Sequence, residues 1–260
     1  MSSYYIYGIE FKDVTPADAL KKMICALKSN RRLLVFTPNL AIMRAVADDR
    51  QLAGLLDRAD MLLPDGVGIS ILARRKYRHR VTSIPGIDAA YALLRYAAQS
   101  GYSVYLLGAN DGVAAMAAEN LMRELPTLHV CGTHHGYFDL SKDNDENKAV
   151  ISHINDCSPD ILLVCMGFPL QERWICENAN SLSYVKIFMG LGGSLDVWSG
   201  RLPRAPRLVR KMRLEWLWRC LLEPRRLPSL VKDSIRIFSP TFLLKKKSRQ
   251  KKTKKSCPKY

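Results

Sequence analysis

Short apolar runs rich in β-formers alternate with longer segments of helical period from residue 33 onward, and this alternation constrains the fold more than any other feature of the chain. The runs are LLVFT (33–37), MLLP (61–64), VYLLG (104–108), ILLVCMG (161–167) and VKIFMG (185–190). Between them lie LAIMRAVADDRQLAGLLDRA, GIDAAYALLRYAAQ, DGVAAMAAENLMREL and KAVISHIND, with apolar residues three or four apart. Continuous apolar strands separated by helices belong to strands buried on both faces. The pattern therefore predicts an α/β fold: a largely parallel, Rossmann-like sheet with helices on both faces.

In such a sheet ligands collect where strands end and helices begin. The unusual residues of this chain fall at those ends: Thr37-Pro38-Asn39, Pro64-Asp65-Gly66, Gly108-Ala109-Asn110, Gly167-Phe168-Pro169 and Gly190-Leu191-Gly192-Gly193-Ser194. Any one of them reads equally as turn chemistry, but five on one edge point to a pocket. Asp65 has two readings, a helix N-cap or a carboxylate able to take a proton from a bound hydroxyl. The G-L-G-G-S segment resembles a phosphate cradle of backbone N–H groups. It lacks the G-x-G-x-x-G fingerprint of dinucleotide sites, and no Walker sequence occurs, which disfavours an oxidoreductase and a nucleoside triphosphatase. Gln171 and Glu172 are placed on a first helical turn facing the same edge, the amide to hold a polar ligand and the acid to complement the helix dipole. Asp88 and Asp111 read as helix caps, and His134-His135 with Gly136-Tyr137-Phe138 as a turn. The five histidines show no metal-ligand spacing, so no metal and no cofactor is expected.

Charge divides the chain. Of 40 Lys/Arg and 24 Asp/Glu, residues 201–260 hold 20 and 3, leaving a near-neutral body. We expect an α/β catalytic domain over 1–200, a basic helical appendage over 201–240 and a disordered Lys-rich tail over 241–260. The appendage sets Arg204, Arg207, Arg210, Arg213, Arg219, Arg225 and Arg226 beside Trp216 and Trp218. Guanidinium groups bind diphosphate bidentately, and Trp with Leu suits a membrane interface. Nucleic-acid binding by the basic tail is the rival reading, although no standard recognition module is present. The seven cysteines stand singly, with no C-x-x-C pair, as small hydrophobes of a reducing cytosol. The N-terminus has no signal-peptide pattern, and no segment approaches the roughly 18 apolar residues of a membrane span.

T-P-N (37–39), L-P-D-G-V-G (63–68), P-G-I-D (85–88), G-Y-F (136–138), M-G-F-P-L-Q-E (166–172), G-L-G-G-S-L-D-V (190–197), R-A-P (204–206) and E-W-L-W-R (215–219) occur in an order and spacing that resemble the WecG/TagA/CpsF bacterial glycosyltransferases, glycosyltransferase family 26. The resemblance runs from about residue 6 to residue 238. It implies an inverting, metal-independent transfer of an N-acetylmannosamine-type sugar from a UDP donor to a polyprenyl-diphosphate-linked sugar, in cell-surface polysaccharide synthesis, at the cytoplasmic face of the bacterial inner (plasma) membrane. It makes Asp65 the general base and puts Thr37 and Asn39 beside it, with Gln171 near the donor. It brings Arg213, Arg219 and Arg225 to the diphosphate as the appendage closes. Gly108, Gly167, Gly190, Gly192, Gly193 and Asp196 form the expected nucleotide-binding set. Partners expected are the UDP-sugar, the lipid-linked acceptor, an anionic membrane surface and a second copy of the chain. Related sequences often carry Arg where this chain has Ser83, three residues before Gly86, and Arg80 is the nearest substitute.

Overall fold

The computed structural model describes residues 3–78, 80–141, 143–206, 208–209 and 215–222. Strands β3 (Leu33–Phe36), β4 (Met61–Leu62), β5 (Ser103–Gly108), β6 (His129–His134), β7 (Ile161–Cys165) and β8 (Ile187–Gly190) form one six-stranded sheet in the order β4-β3-β8-β7-β5-β6. Every pairing in it is parallel. The expected architecture is therefore the observed one.

Side chains along a strand alternate between the two faces of the sheet, and both faces here are apolar. On β7, Ile161, Leu163 and Cys165 join one core cluster while Leu162 and Val164 join the other, and β5 divides the same way, Val104 and Leu106 against Tyr105 and Leu107. The first face is covered by α1 (Pro16–Lys28), α5 (Gly86–Ser100), α6 (Val113–Glu124) and α9 (Ser194–Trp198). The second is covered by α2 (Leu40–Asp48), α3 (Arg50–Asp57), α4 (Val67–Tyr77), α7 (Asp145–Cys157) and α8 (Leu170–Asn178). Full burial of each Leu, Ile or Phe contributes about 1.5–3 kcal/mol, so two covered faces secure the central strands. Helix α1 opens on a capping box between Thr15 and Asp18 with Pro16 at its first position, local chemistry that fixes its start.

Two strand regions escape the apolar-run signal. β1 (Ser3–Ile6) and β2 (Ile9–Lys12) form an antiparallel hairpin whose Tyr4, Ile6, Ile9 and Phe11 are buried while Ser3, Tyr5, Glu10 and Lys12, alternating with them along the strands, are exposed. Its two-residue turn, Tyr7-Gly8, has positive φ at both positions, as a type I′ turn requires. β6 is an edge strand paired only with β5, with a register shift at Val104/Tyr105. His134 is the last residue of β6, so the turn expected at His134-His135 begins only at His135. The described part of the appendage includes helix α10 (Glu215–Leu222), whose Trp218 Nε1 donates to the Pro203 carbonyl at 3.2 Å.

Candidate active site

The helices that follow the central strands leave the sheet on opposite sides. α6 and α9, after β5 and β8, pack on one face; α8 and α2, after β7 and β3, pack on the other. Divergence of this kind opens a crevice beyond the carboxyl ends of the strands. The loops carrying Thr37, Asp65, Gly167 and Gly192 meet there.

Asp65 is half-buried. Its backbone N–H donates to the Pro38 carbonyl at 3.0 Å, locking the loops after β3 and β4 together. Its carboxylate Oδ2 lies 3.4 Å from the backbone nitrogen of Gly86, the first residue of α5. Helix α4, which follows Asp65 in the chain, starts on Gly66 with no side-chain cap. The N-terminus of α5, twenty-one residues downstream, therefore faces the Asp65 carboxylate and favours a negative charge there. Thr37 is buried, its hydroxyl donating to the Gly190 carbonyl at 2.9 Å. Asn39 is exposed and caps α2 by accepting from the Ile42 N–H at 3.0 Å. Thr37 thus acts on the frame, tying β3 to β8, whereas the exposed Asn39 serves as the cap of α2.

Gln171 is buried too. Its Oε1 accepts from the N–H groups of Gly167 at 3.2 Å and Gly192 at 2.9 Å, and its Nε2 donates to Glu172 Oε1 at 2.9 Å. The amide expected to hold a polar ligand bridges two loops in this structure, and the Gly192 N–H of the expected phosphate cradle is engaged by it. Glu172, expected to complement the dipole of its helix, is 1% exposed, and burial holds its carboxyl above the usual carboxylate range. The expected nucleotide-binding glycines divide by cause. Gly108 (φ +134°) and Gly190 are glycine because a Cβ would meet Cys165 O at 2.4 Å and Gln171 Nε2 at 2.9 Å; Gly167 (φ +79°) and Gly192 (φ +55°) have open space there and need only the left-handed backbone. Gly193 lies in the same loop, and a Cβ on it would sit 3.6 Å from the half-buried Asp196 carboxylate of α9.

Several contacts at this edge join residues that the sequence reading treated separately. Arg204 forms an ion pair with Asp88 on the first turn of α5, joining the segment after α9 to the helix whose N-terminus faces Asp65. With its amide oxygen toward the guanidinium, Asn110 accepts from Arg201 Nη1 at 2.7 Å and donates to the Tyr137 hydroxyl at 3.2 Å; Tyr137 is 75% exposed. P-G-I-D, R-A-P and G-Y-F were the sequence signals for these positions, without a partner for any of them. Asp111 caps nothing: α6 starts on Gly112 with no side-chain cap. Arg207, Arg210, Arg213, Arg225, Arg226 and the tail 241–260 lie outside the described residues, as do the side chains of Trp216 and Arg219. Among the described residues no group of three or more His, Cys, Asp or Glu could hold a metal ion, and no helix is long and apolar enough to cross a membrane.

Known proteins resemble this chain over almost its full length. The model of the Glycosyl transferase WecG/TagA/CpsF family matches residues 4–253. N-acetylglucosaminyldiphosphoundecaprenol N-acetyl-beta-D-mannosaminyltransferases from Staphylococcus aureus strains MRSA252, NCTC 8325 / PS 47 and COL are each 32% identical over 253 residues, covering 96% of this chain and 94% of theirs. A parallel sheet with a half-buried aspartate at its strand-end crevice, matched along the chain by that family, makes this protein a member of the WecG/TagA/CpsF glycosyltransferases.

Proposed function

We propose that this glycosyltransferase moves an N-acetylmannosamine-type sugar from UDP to a sugar carried on a polyprenyl diphosphate, with inversion at the anomeric carbon and without a metal. The observation that carries the reading is Asp65: a half-buried carboxylate at the mouth of the crevice, 3.4 Å from the first amide of α5. It agrees with the activity in the names of the staphylococcal relatives. Asp65 takes the proton from the acceptor hydroxyl as that oxygen bonds to the anomeric carbon, and the bond from that carbon to the UDP oxygen breaks on the opposite side. The departing diphosphate needs positive charge; the appendage arginines Arg213, Arg219 and Arg225 are assigned that part. Gln171, with Gly167 and Gly192, shapes the loops that receive the nucleotide, and Asp196, Gly193, Gly190 and Gly108 border it. Thr37 and Asn39 hold the ground beside the base.

The acceptor's lipid places the work at a membrane surface, which we assign to the cytoplasmic face of the plasma membrane. The enzyme sits there peripherally through its basic appendage. The test is a donor panel with a short-chain polyprenyl-diphosphate acceptor, run on the wild-type enzyme and on Asp65→Asn. Turnover of the variant should fall by about 10²–10⁴, the usual weight of a positioned general base, while UDP still binds. Undiminished turnover would remove Asp65 from this role.

A further inference from the structure

The amide of Gln171 could in principle occupy its site in two orientations, and what selects one of them is a buried carboxyl. Gln171 Oε1 accepts from two backbone N–H groups at once, Gly167 after β7 and Gly192 after β8. Rotating the amide by half a turn would set its NH2 against those two N–H groups, donor against donor, and bring both loops apart. The present orientation obliges Nε2 to donate, and its acceptor is Glu172 Oε1 at 2.9 Å. Glu172 Oε2 is buried with no hydrogen-bond partner among the described residues. Placing a carboxyl there is costly compared with an apolar side chain of equal size. That cost is offset only if the first oxygen does something an apolar group could not. A Cβ at Gly190 would meet Gln171 Nε2 at 2.9 Å, so the strand beside the amide also leaves it little freedom.

We propose that Glu172 is a positioning residue: it holds the Gln171 amide in the orientation that ties the Gly167 and Gly192 loops together, and so sets the spacing of the loops that receive the donor nucleotide. The last clause rests on the function proposed above; the clamp itself does not. Two variants separate an acceptor from a space-filler. Glu172→Gln keeps an oxygen for Gln171 Nε2, whereas Glu172→Met fills similar space without one.

The experiment measures UDP affinity by calorimetry and amide hydrogen exchange by NMR at Gly167 and Gly192, on the full chain. Glu172→Met should weaken UDP binding roughly three- to tenfold, the equilibrium weight of one lost hydrogen bond, and speed exchange at both glycines. Glu172→Gln should restore both quantities to near wild type. Wild-type exchange in Glu172→Met, or a Glu172→Gln as loosened as Glu172→Met, would overturn the proposal. Absence of UDP binding in the wild type would count against the proposed function, while the exchange contrast would still decide the clamp. Should Glu172→Met fail to fold, the wild-type Gln171 side-chain amide protons answer the question: slow exchange supports the clamp and exchange at the solvent rate refutes it.

Discussion

Gly86 is a glycine because Thr37 stands where its side chain would be: a Cβ there would come within 2.8 Å of Thr37 Cγ2 and 3.0 Å of Thr37 Oγ1. Thr37 cannot retreat easily, since its buried hydroxyl is bonded to the Gly190 carbonyl. Gly86→Ala should therefore push α5 away from Asp65 and lower turnover more than it lowers stability, which kcat and Tm measured on the same preparation would reveal. A second residue-scale expectation concerns Glu172. Its carboxyl is raised above the ordinary 4.5 by burial, so the folded chain holds this proton where the unfolded chain has released it. The stability it contributes is full below about pH 4.5 and is lost as pH rises through the raised folded value. Glu172→Gln has no such proton, so its Tm relative to wild type should climb between pH 4.5 and pH 8. Cys176, the neighbouring titratable thiol, is itself raised by burial and stays neutral across that window. A Tm difference independent of pH would show that the carboxyl is not held above its normal range.

At the scale of elements, α8 is an unusual helix because its buried side carries polar groups. Trp174 Nε1 donates to Asn147 Oδ1 at 2.7 Å, and Asn178 Nδ2 returns to the Trp174 carbonyl at 2.9 Å. Asn147, on α7, is fully buried. Asn147→Leu would leave the Trp174 indole N–H buried and unpaired, at a cost of about 1–3 kcal/mol. It should lower the urea midpoint at unchanged m-value; an unaltered midpoint would mean that the α7–α8 pairing does not depend on this bond. The same helix shows what sequence reasoning reaches and what it misses. Its start after β7 is readable because a continuous apolar run followed by Gly-Phe-Pro ends a strand buried on both faces. Gln171 and Glu172 look like surface residues of a first turn because nothing local indicates that β8 brings Gly190 and Gly192 against them. The β1-β2 hairpin was readable in principle from the alternation Y-I-Y-G-I-E-F-K. β6 was not, since an edge strand of HVCGTH composition lacks the apolar face that marks a strand.

For the whole molecule the question is what links the neutral body to its basic end. Arg204 pairs with Asp88 on α5, Ala205 is buried and Trp218 bonds back to Pro203. The first residues of the appendage are thus anchored on the helix whose N-terminus faces Asp65, so anything that moves the appendage is felt a few residues from the proposed base. That coupling was invisible in sequence, where Asp88 and Arg204 stand 116 positions apart, the one read as a helix cap and the other as one arginine of the basic appendage. Among the described residues, the core clusters that cover both faces of the sheet contain none beyond Trp198, so a body without residues 207–260 is expected to fold. Ending the chain at Pro206 keeps the Arg204–Asp88 pair and removes the remaining arginines. This truncation should retain the wild-type melting transition within a few degrees, because it keeps every residue of the two described core clusters. It should nevertheless fail to transfer sugar to a lipid-linked acceptor, because the positive charge assigned to the departing diphosphate goes with it. A truncated chain as active as the full one would confine the chemistry to the body and leave the basic end with some other task.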